Sequence, residues 1–208
     1  GSVCGTMPLH LQGKWNNLPN PPWNSDYHNN INTQMNYWPA EMLGMGDAHL
    51  TLFNYLERIV PNARKAAKRL YNCRGIYMTQ TDDIWCRCTP ESTGWDVWVG
   101  AAPWLAEHFY RHYQFTGDLE FLKNRAYPFL KETCEFFEDY LIPDEQGILQ
   151  VVPSQSPENR FEMGQTTNLP VSLCRSCAMD LSLVWEVMTN AMEAASRLNV
   201  DPEKIELW

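Results

Sequence analysis

Apolar residues recur at helical spacing over most of the 208-residue chain, and this periodicity constrains the fold more than any other feature. The longest periodic stretches are residues 47–71, 97–115, 119–141 and about 178–198. Thr116-Gly117-Asp118 separates two of them, because glycine readily ends a helix and aspartate can cap the next one. The pattern therefore predicts an all-α fold.

A further helix is predicted over residues 31–44, with Met35, Trp38 and Met42 on one apolar face and Pro39 as an interruption. The turn at Gly117 is short, whereas the connections 72–96 and 142–177 are long. Alternating short turns and long loops are typical of a barrel of paired helices, in which the long loops form the binding site. A plain helical bundle has the same periodicity, so both architectures stay open at this point.

The first 30 residues differ from the rest of the chain. They are rich in Pro, Asn and Trp and show no sustained period, and Pro21-Pro22 disfavours both helix and sheet interior. Residues 1–30 are therefore predicted to be an extended segment that lies against a helical body formed by residues 31–208.

Charge and hydropathy narrow the range of partners. The formal net charge is -9, and nucleic acids and anionic membranes both attract basic surfaces. No apolar run is long enough to cross a bilayer. The sequence therefore predicts no nucleic-acid partner and no membrane partner.

Seven cysteines are present, including the pairs Cys86/Cys88 and Cys174/Cys177. A zinc site built from these pairs is one interpretation, but no histidine lies near either pair to complete a common ligand pattern. Ordinary buried thiols are the favoured interpretation, so no metal and no cofactor are expected.

Three polar segments flanked by aromatic residues are candidates for a sugar site. The first covers residues 23–38, where asparagines are dense; amide groups both donate to and accept from sugar hydroxyls, and they can orient a water molecule. The second is residues 153–159, in which Glu158 could act as a positioned general acid. The third is residues 79–85 with Asp82 and Trp85, followed by Trp95, Asp96, Trp98 and Trp104. Taken singly, each segment is better explained by capping residues, surface loops or core packing than by a binding site.

Taken together and in this order, the segments resemble glycoside hydrolase family 95, the inverting α-L-fucosidases. The resemblance rests on residues 11–16, 22–23, 26–32, 35–41, 81–85, 104–118, 153–159 and 179–180. The motifs Asp26-Tyr27-His28-Asn29-Asn30-Ile31-Asn32 and Pro153-Ser154-Gln155-Ser156-Pro157-Glu158-Asn159 are the specific ones.

The resemblance implies an (α/α)6-barrel catalytic domain, of which this chain would be the N-terminal portion. It implies that Glu158 is the general acid and that the amide oxygens of Asn30 and Asn32 hold the attacking water. His28 and Trp104 resemble sugar-contacting positions, and Asp82 and Trp85 are further candidates for substrate binding. In the family a downstream aspartate polarises the two amides, and its motif is absent from these 208 residues.

The resemblance thus predicts an enzyme that removes terminal α-L-fucose from glycans with inversion, and it predicts that this segment alone is inactive. The alternatives are a relative specific for a galactose-configured sugar, a non-catalytic glycan-binding or scaffold remnant, and a helical interaction module. An incomplete barrel would expose apolar helix faces, so self-association is expected. Family resemblance implies a secreted or periplasmic location, whereas the sequence itself leaves the compartment open.

Overall fold

Helices dominate the computed structural model, which describes residues 6–12, 16–90, 97–162 and 170–208. The helices are α1 (Asn32–Tyr37), α2 (Pro39–Met42), α3 (Gly46–Ala66), α4 (Ala101–Thr116), α5 (Leu119–Phe121), α6 (Tyr127–Tyr140), α7 (Ala178–Leu198) and α8 (Pro202–Leu207). Single π-helical turns extend α3 and join α5 to α6. The predicted helical fold is confirmed at this level. Trp95, Asp96 and the Gly13-Lys14-Trp15 part of the N-terminal motif lie outside the described residues.

The core lies between α3, α4, α6 and α7. The apolar stripe predicted for residues 47–71 is confirmed, since Phe53, Leu56 and Ile59 are fully buried. The ring of Phe53 lies 4.5 Å from that of Phe109 on α4, which in turn lies 4.6 Å from Phe129 on α6. Stacked and tilted rings at these separations favour one defined packing arrangement.

The prediction for residues 31–44 was wrong in one respect. Met35 and Met42 are 53% and 66% exposed rather than buried. Pro39 splits the stretch into α1 and α2, because proline has no N–H to donate and its ring clashes with the preceding turn. The buried face of α1 consists instead of Thr33, Gln34 and Tyr37.

Three antiparallel pairs of two-residue strands fasten the loops to one another. Strand β1 (Tyr27–His28) pairs with β2 (Thr81–Asp82), and β3 (Ile142–Pro143) pairs with β4 (Leu149–Gln150). Strand β5 (Ser154–Gln155) pairs with β6 (Leu173–Cys174). Strands this short have little stability of their own, so they depend on the helices around them.

The loop after α3 is largely buried. Residues Ile76, Tyr77, Met78 and Thr79 are each at most 4% exposed. The backbone N–H of Ile76 donates to the carbonyl of Glu132 on α6, and that of Tyr77 donates to the carbonyl of Ala63 on α3. This chain segment therefore fills the space between two helices and leads directly into β2.

The described part of the N-terminal segment lies against α1 and α3. The backbone N–H of Leu9 donates to the Tyr37 hydroxyl at 2.9 Å, and Arg58 donates to the carbonyl of Thr6 at 2.6 Å. The division of the chain at residue 30 stays a prediction. Among the described residues, no helix combines the length and the apolar character that crossing a membrane requires.

Candidate active site

Pairing of β1 with β2 brings two of the three polar segments together. Tyr27 lies opposite Asp82, and His28 lies opposite Thr81. The asparagines that follow β1 are therefore held beside the Thr81-Asp82 motif, although more than 50 residues separate them in the sequence.

Asn29 is fixed on several sides. Its backbone N–H donates to the carbonyl of Gln80 at 2.7 Å, and its side-chain Nδ2 donates to Asp82 Oδ2 at 2.7 Å. Gln34 Nε2 donates to the carbonyl of Asn29, also at 2.7 Å. These bonds fix the backbone immediately before Asn30 and thereby restrict where its side chain can point.

Asp82 lies below this turn and is only 1% exposed. Its Oδ1 accepts a hydrogen bond from the Tyr55 hydroxyl at 2.5 Å. Burial raises the pKa of Asp82 to about 7, against the opposing effect of the hydrogen bonds from Tyr55 and Asn29. The carboxylate is thus engaged within the protein; a direct contact between Asp82 and substrate stays a prediction.

Asn30 and Glu158 lie next to each other. Asn30 Nδ2 donates to Glu158 Oε1 at 3.4 Å, across 128 positions of sequence. Glu158 is exposed, whereas Asn30 is 8% exposed. The Asn30 Oδ1 atom is buried and has no hydrogen-bond partner within the described residues. This amide oxygen, whose capacity to accept a hydrogen bond is unused among the described residues, therefore lies in the side chain that contacts the exposed carboxyl group.

The segment that carries Glu158 is anchored at its start by Asp180, in the first turn of α7. Asp180 accepts hydrogen bonds from Ser154 Oγ at 2.6 Å, from the backbone N–H of Gln155 at 3.2 Å and from Trp98 Nε1 at 3.0 Å. Burial raises the pKa of Asp180, and these hydrogen bonds oppose the shift. One carboxylate thus joins α7, β5 and the chain segment that leads into α4.

The other predicted site residues have different surroundings. Asn32 begins α1 and is half-buried, as is His28 in β1. Trp104 on α4 is half-buried, with its ring 6.4 Å from that of Trp98. Trp85 is 80% exposed in the loop after β2. Their roles toward a sugar stay predictions.

The supporting residues were missed in the sequence. Tyr55 falls on a regular helical stripe and is indistinguishable there from a core residue. Asp180 was noted within a short matching motif, but nothing local indicates that it contacts Ser154, 26 positions earlier. A second polar cluster, of Glu41, His49 and His112, was also missed, and its atoms are close enough to hold a metal ion.

The arrangement around Asn30 places a carboxyl group beside an amide group, and both kinds of group can take part in glycoside cleavage. A carboxyl group can donate a proton to the leaving oxygen, and an amide oxygen can orient a water molecule. The two groups are in direct contact, so a sugar ring that enters between them must replace the Asn30–Glu158 hydrogen bond.

Comparison with known proteins identifies one enzyme family. The model of the glycosyl hydrolase family 95 catalytic domain matches residues 1–208. Alpha-L-fucosidase 2 of Arabidopsis thaliana is 36% identical over 196 residues, which cover 93% of this chain and 23% of that protein. The probable alpha-fucosidase A of Aspergillus niger is 28% identical over 195 residues, which cover 91% of this chain and 24% of that protein.

The chain spans about a quarter of the length of these two curated relatives. The match to the family model nevertheless extends over every residue of the chain. The chain therefore belongs to glycoside hydrolase family 95, the family of the alpha-L-fucosidases, and it matches the catalytic domain of that family.

Proposed function

We propose that this chain carries the proton donor and the water-holding amides of an enzyme that removes terminal α-L-fucose from glycans with inversion. The single observation behind this proposal is the contact between Asn30 Nδ2 and Glu158 Oε1 at 3.4 Å. Membership of the alpha-L-fucosidase family supports fucosylated oligosaccharides as the substrate class.

In the proposed reaction Glu158 donates a proton to the glycosidic oxygen as the bond to the anomeric carbon breaks. A water held by the amide oxygens of Asn30 and Asn32 attacks that carbon from the opposite face of the ring, which inverts its configuration. The attacking water releases a proton, and an amide oxygen polarised by a carboxylate would accept it. The family resemblance implies a downstream aspartate for this polarisation, and its motif is absent from residues 1–208. Full activity is therefore proposed for the longer protein.

We also propose that the helices form part of an (α/α)6 barrel. The mutual packing of α4, α6 and α7 and the concentration of polar groups in the long loops support this architecture. His28, Trp104 and Trp85 are proposed to contact the sugar, since imidazole and indole rings offer flat surfaces with polar edges.

The test is release of the aryl alcohol from a chromogenic aryl α-L-fucoside, compared between Glu158→Gln and Glu162→Gln. Both residues are exposed carboxylates of the same loop, so the second variant controls for loop charge. Loss of the general acid is expected to lower the rate by roughly 10²–10⁴-fold, whereas Glu162→Gln leaves it unchanged. Equal rates in the two variants would overturn the assignment of Glu158.

Calorimetry with L-fucose separates the alternative functions when turnover is absent. The chain could instead bind L-fucose without any turnover of the aryl fucoside. If Glu158→Gln and Asn30→Ala both weaken this binding, the result supports a glycan-binding remnant built on the same site. The absence of both binding and turnover would support a helical interaction module and would contradict the sugar site itself.

A further inference from the structure

A second polar cluster lies inside the helical body. Glu41 of α2, His49 of α3 and His112 of α4 are 8%, 0% and 7% exposed. Glu41 Oε1 accepts hydrogen bonds from His49 Nδ1 at 2.7 Å and from His112 Nδ1 at 2.6 Å. One potential ligand atom from each of the three residues lies within 4.8 Å of the other two.

Glu41 is a buried acidic group enclosed by this cluster. Its Oε1 atom contacts both His49 and His112. No lysine or arginine in the described ranges forms an ion pair with Glu41. Buried charges in proteins are paired with an opposite charge or coordinate a metal.

The donor set matches a particular ion. Two imidazole nitrogens and one carboxylate oxygen, with water as the fourth ligand, form a common zinc site. Zinc bonds of about 2.0–2.1 Å in a tetrahedron place ligand atoms about 3.3 Å apart. The two O···N contacts of 2.7 and 2.6 Å would therefore have to open by several tenths of an ångström.

The surroundings supply an outer partner for one ligand. His49 Nε2 lies 2.9 Å from His108 Nδ1. When His49 binds a metal through Nδ1, its proton resides on Nε2 and can be donated to His108 Nδ1. Metal-bound histidines in proteins almost always donate their second ring N–H to a hydrogen-bond acceptor.

Space for a fourth ligand lies above Gly46. A Cβ atom added at this glycine would sit 3.4 Å from both Glu41 Oε2 and His112 Cε1, at ordinary van der Waals distance. A single small atom can therefore be accommodated beside two of the three ligands. Gly46 is half-exposed, so this position can be reached from solvent.

We propose that Glu41, His49 and His112 bind one zinc ion, with a water molecule above Gly46 completing the tetrahedron. The site is independent of the cysteine pairs considered from the sequence. Among the described residues, no cysteine joins a group of three side chains that could hold a metal.

The test begins with protein stripped by a chelator, loaded with Zn²⁺ and passed through gel filtration before elemental analysis. One zinc per chain is expected. X-ray absorption is expected to find only nitrogen and oxygen neighbours at about 2.0–2.1 Å. Failure to retain zinc, or a sulfur shell at about 2.3 Å, would overturn the proposal because sulfur would assign the ion to cysteines.

Variants identify the ligands. Glu41→Gln and His112→Gln are expected to weaken zinc binding by more than about tenfold, and His10→Gln, outside the cluster, is expected to leave it unchanged. Gly46→Ala fills the fourth position without altering a ligand, so it is expected to fold normally and to bind zinc more weakly. Unchanged affinity in Glu41→Gln, His112→Gln and Gly46→Ala together would refute the site.

Discussion

At the scale of single residues, the buried carboxyl group of Asp82 holds the turn that carries Asn30, through its contact with the side chain of Asn29. The Tyr55 hydroxyl lies 2.5 Å from Asp82 Oδ1 and 2.6 Å from the backbone carbonyl of Asp83. A phenol has one proton to donate and two acceptors here. A protonated Asp82 resolves this competition, because it can donate to Tyr55 while Tyr55 donates to Asp83.

The raised pKa of Asp82 predicts a specific dependence of stability on pH. Because the folded-state pKa is about 7 and the ordinary value is 3.8, the stabilising contribution of Asp82 is complete below pH 3.8. It is lost as the pH rises through 7. Between pH 4 and 7, the free energy of unfolding of the wild type, measured in urea, is expected to fall as the pH rises. Relative to that of Asp82→Asn, it falls by up to about 1.4 kcal/mol per pH unit.

The neighbouring variant Asp83→Asn serves as the comparison, since its carboxylate acts on Asp82 through its charge and leaves the contact of Asp82 with Tyr55 in place. Asp83→Asn is expected to keep a free energy of unfolding that falls as the pH rises, whereas Asp82→Asn loses most of this fall. A parallel pH dependence for wild type and Asp82→Asn would contradict the proposed protonation of Asp82.

At the scale of secondary-structure elements, Asp180 is the residue that fastens the Glu158 segment to the helical body. Asp180→Ala leaves the buried hydroxyl of Ser154 and the indole N–H of Trp98 without their acceptor. We expect it to lower the free energy of unfolding by roughly 2–3 kcal/mol. Ser154→Ala removes one donor and leaves the carboxylate with two, so its cost is expected to be about 1 kcal/mol. Equal costs measured by chemical denaturation would contradict the anchoring role of Asp180.

Two glycines with the same backbone conformation provide a second test of packing between elements. Gly75 has φ of +64° and Gly117 has φ of +67°. A Cβ at Gly75 would meet the carbonyl oxygen of Glu132 at 2.0 Å, whereas nothing lies within 4 Å of one at Gly117. Gly117→Ala is therefore expected to cost about 1–2 kcal/mol from backbone strain alone. Gly75→Ala must also push the loop away from α6, so thermal denaturation is expected to show a markedly larger loss of stability than for Gly117→Ala.

Elements with a strong local signal could be predicted from the sequence, and contacts between distant segments could not. Helices α3, α4 and α7 carry an uninterrupted apolar period, and their bounds lie close to those predicted. Helices α1 and α2 are too short for their period to specify a buried face. The two-residue strands and the Asn30–Glu158 contact depend on residues that the helical framework brings together from up to 128 positions away.

At the scale of the whole molecule, α7 presents an apolar surface to solvent. Trp185 and Leu181 are 71% and 44% exposed and line a shallow groove on this helix. Exposed apolar patches of this kind promote association. We expect the chain to self-associate. Trp185→Lys is expected to raise the dissociation constant by roughly tenfold or more. Trp85→Lys, at an 80% exposed loop position, is the control; sedimentation that shows a monomer for every variant would contradict this expectation.

A fucose ring that binds between Asn30 and Glu158 must replace the 3.4 Å contact between their side chains. This binding is tested by an L-fucose titration of the ¹⁵N-labelled chain that follows the side-chain NH₂ resonances of Asn30, identified by their loss in Asn30→Asp. We predict saturable movement of these resonances with L-fucose and no movement with D-glucose. Saturable fucose binding that leaves the Asn30 side-chain resonances unmoved would contradict the proposed binding position.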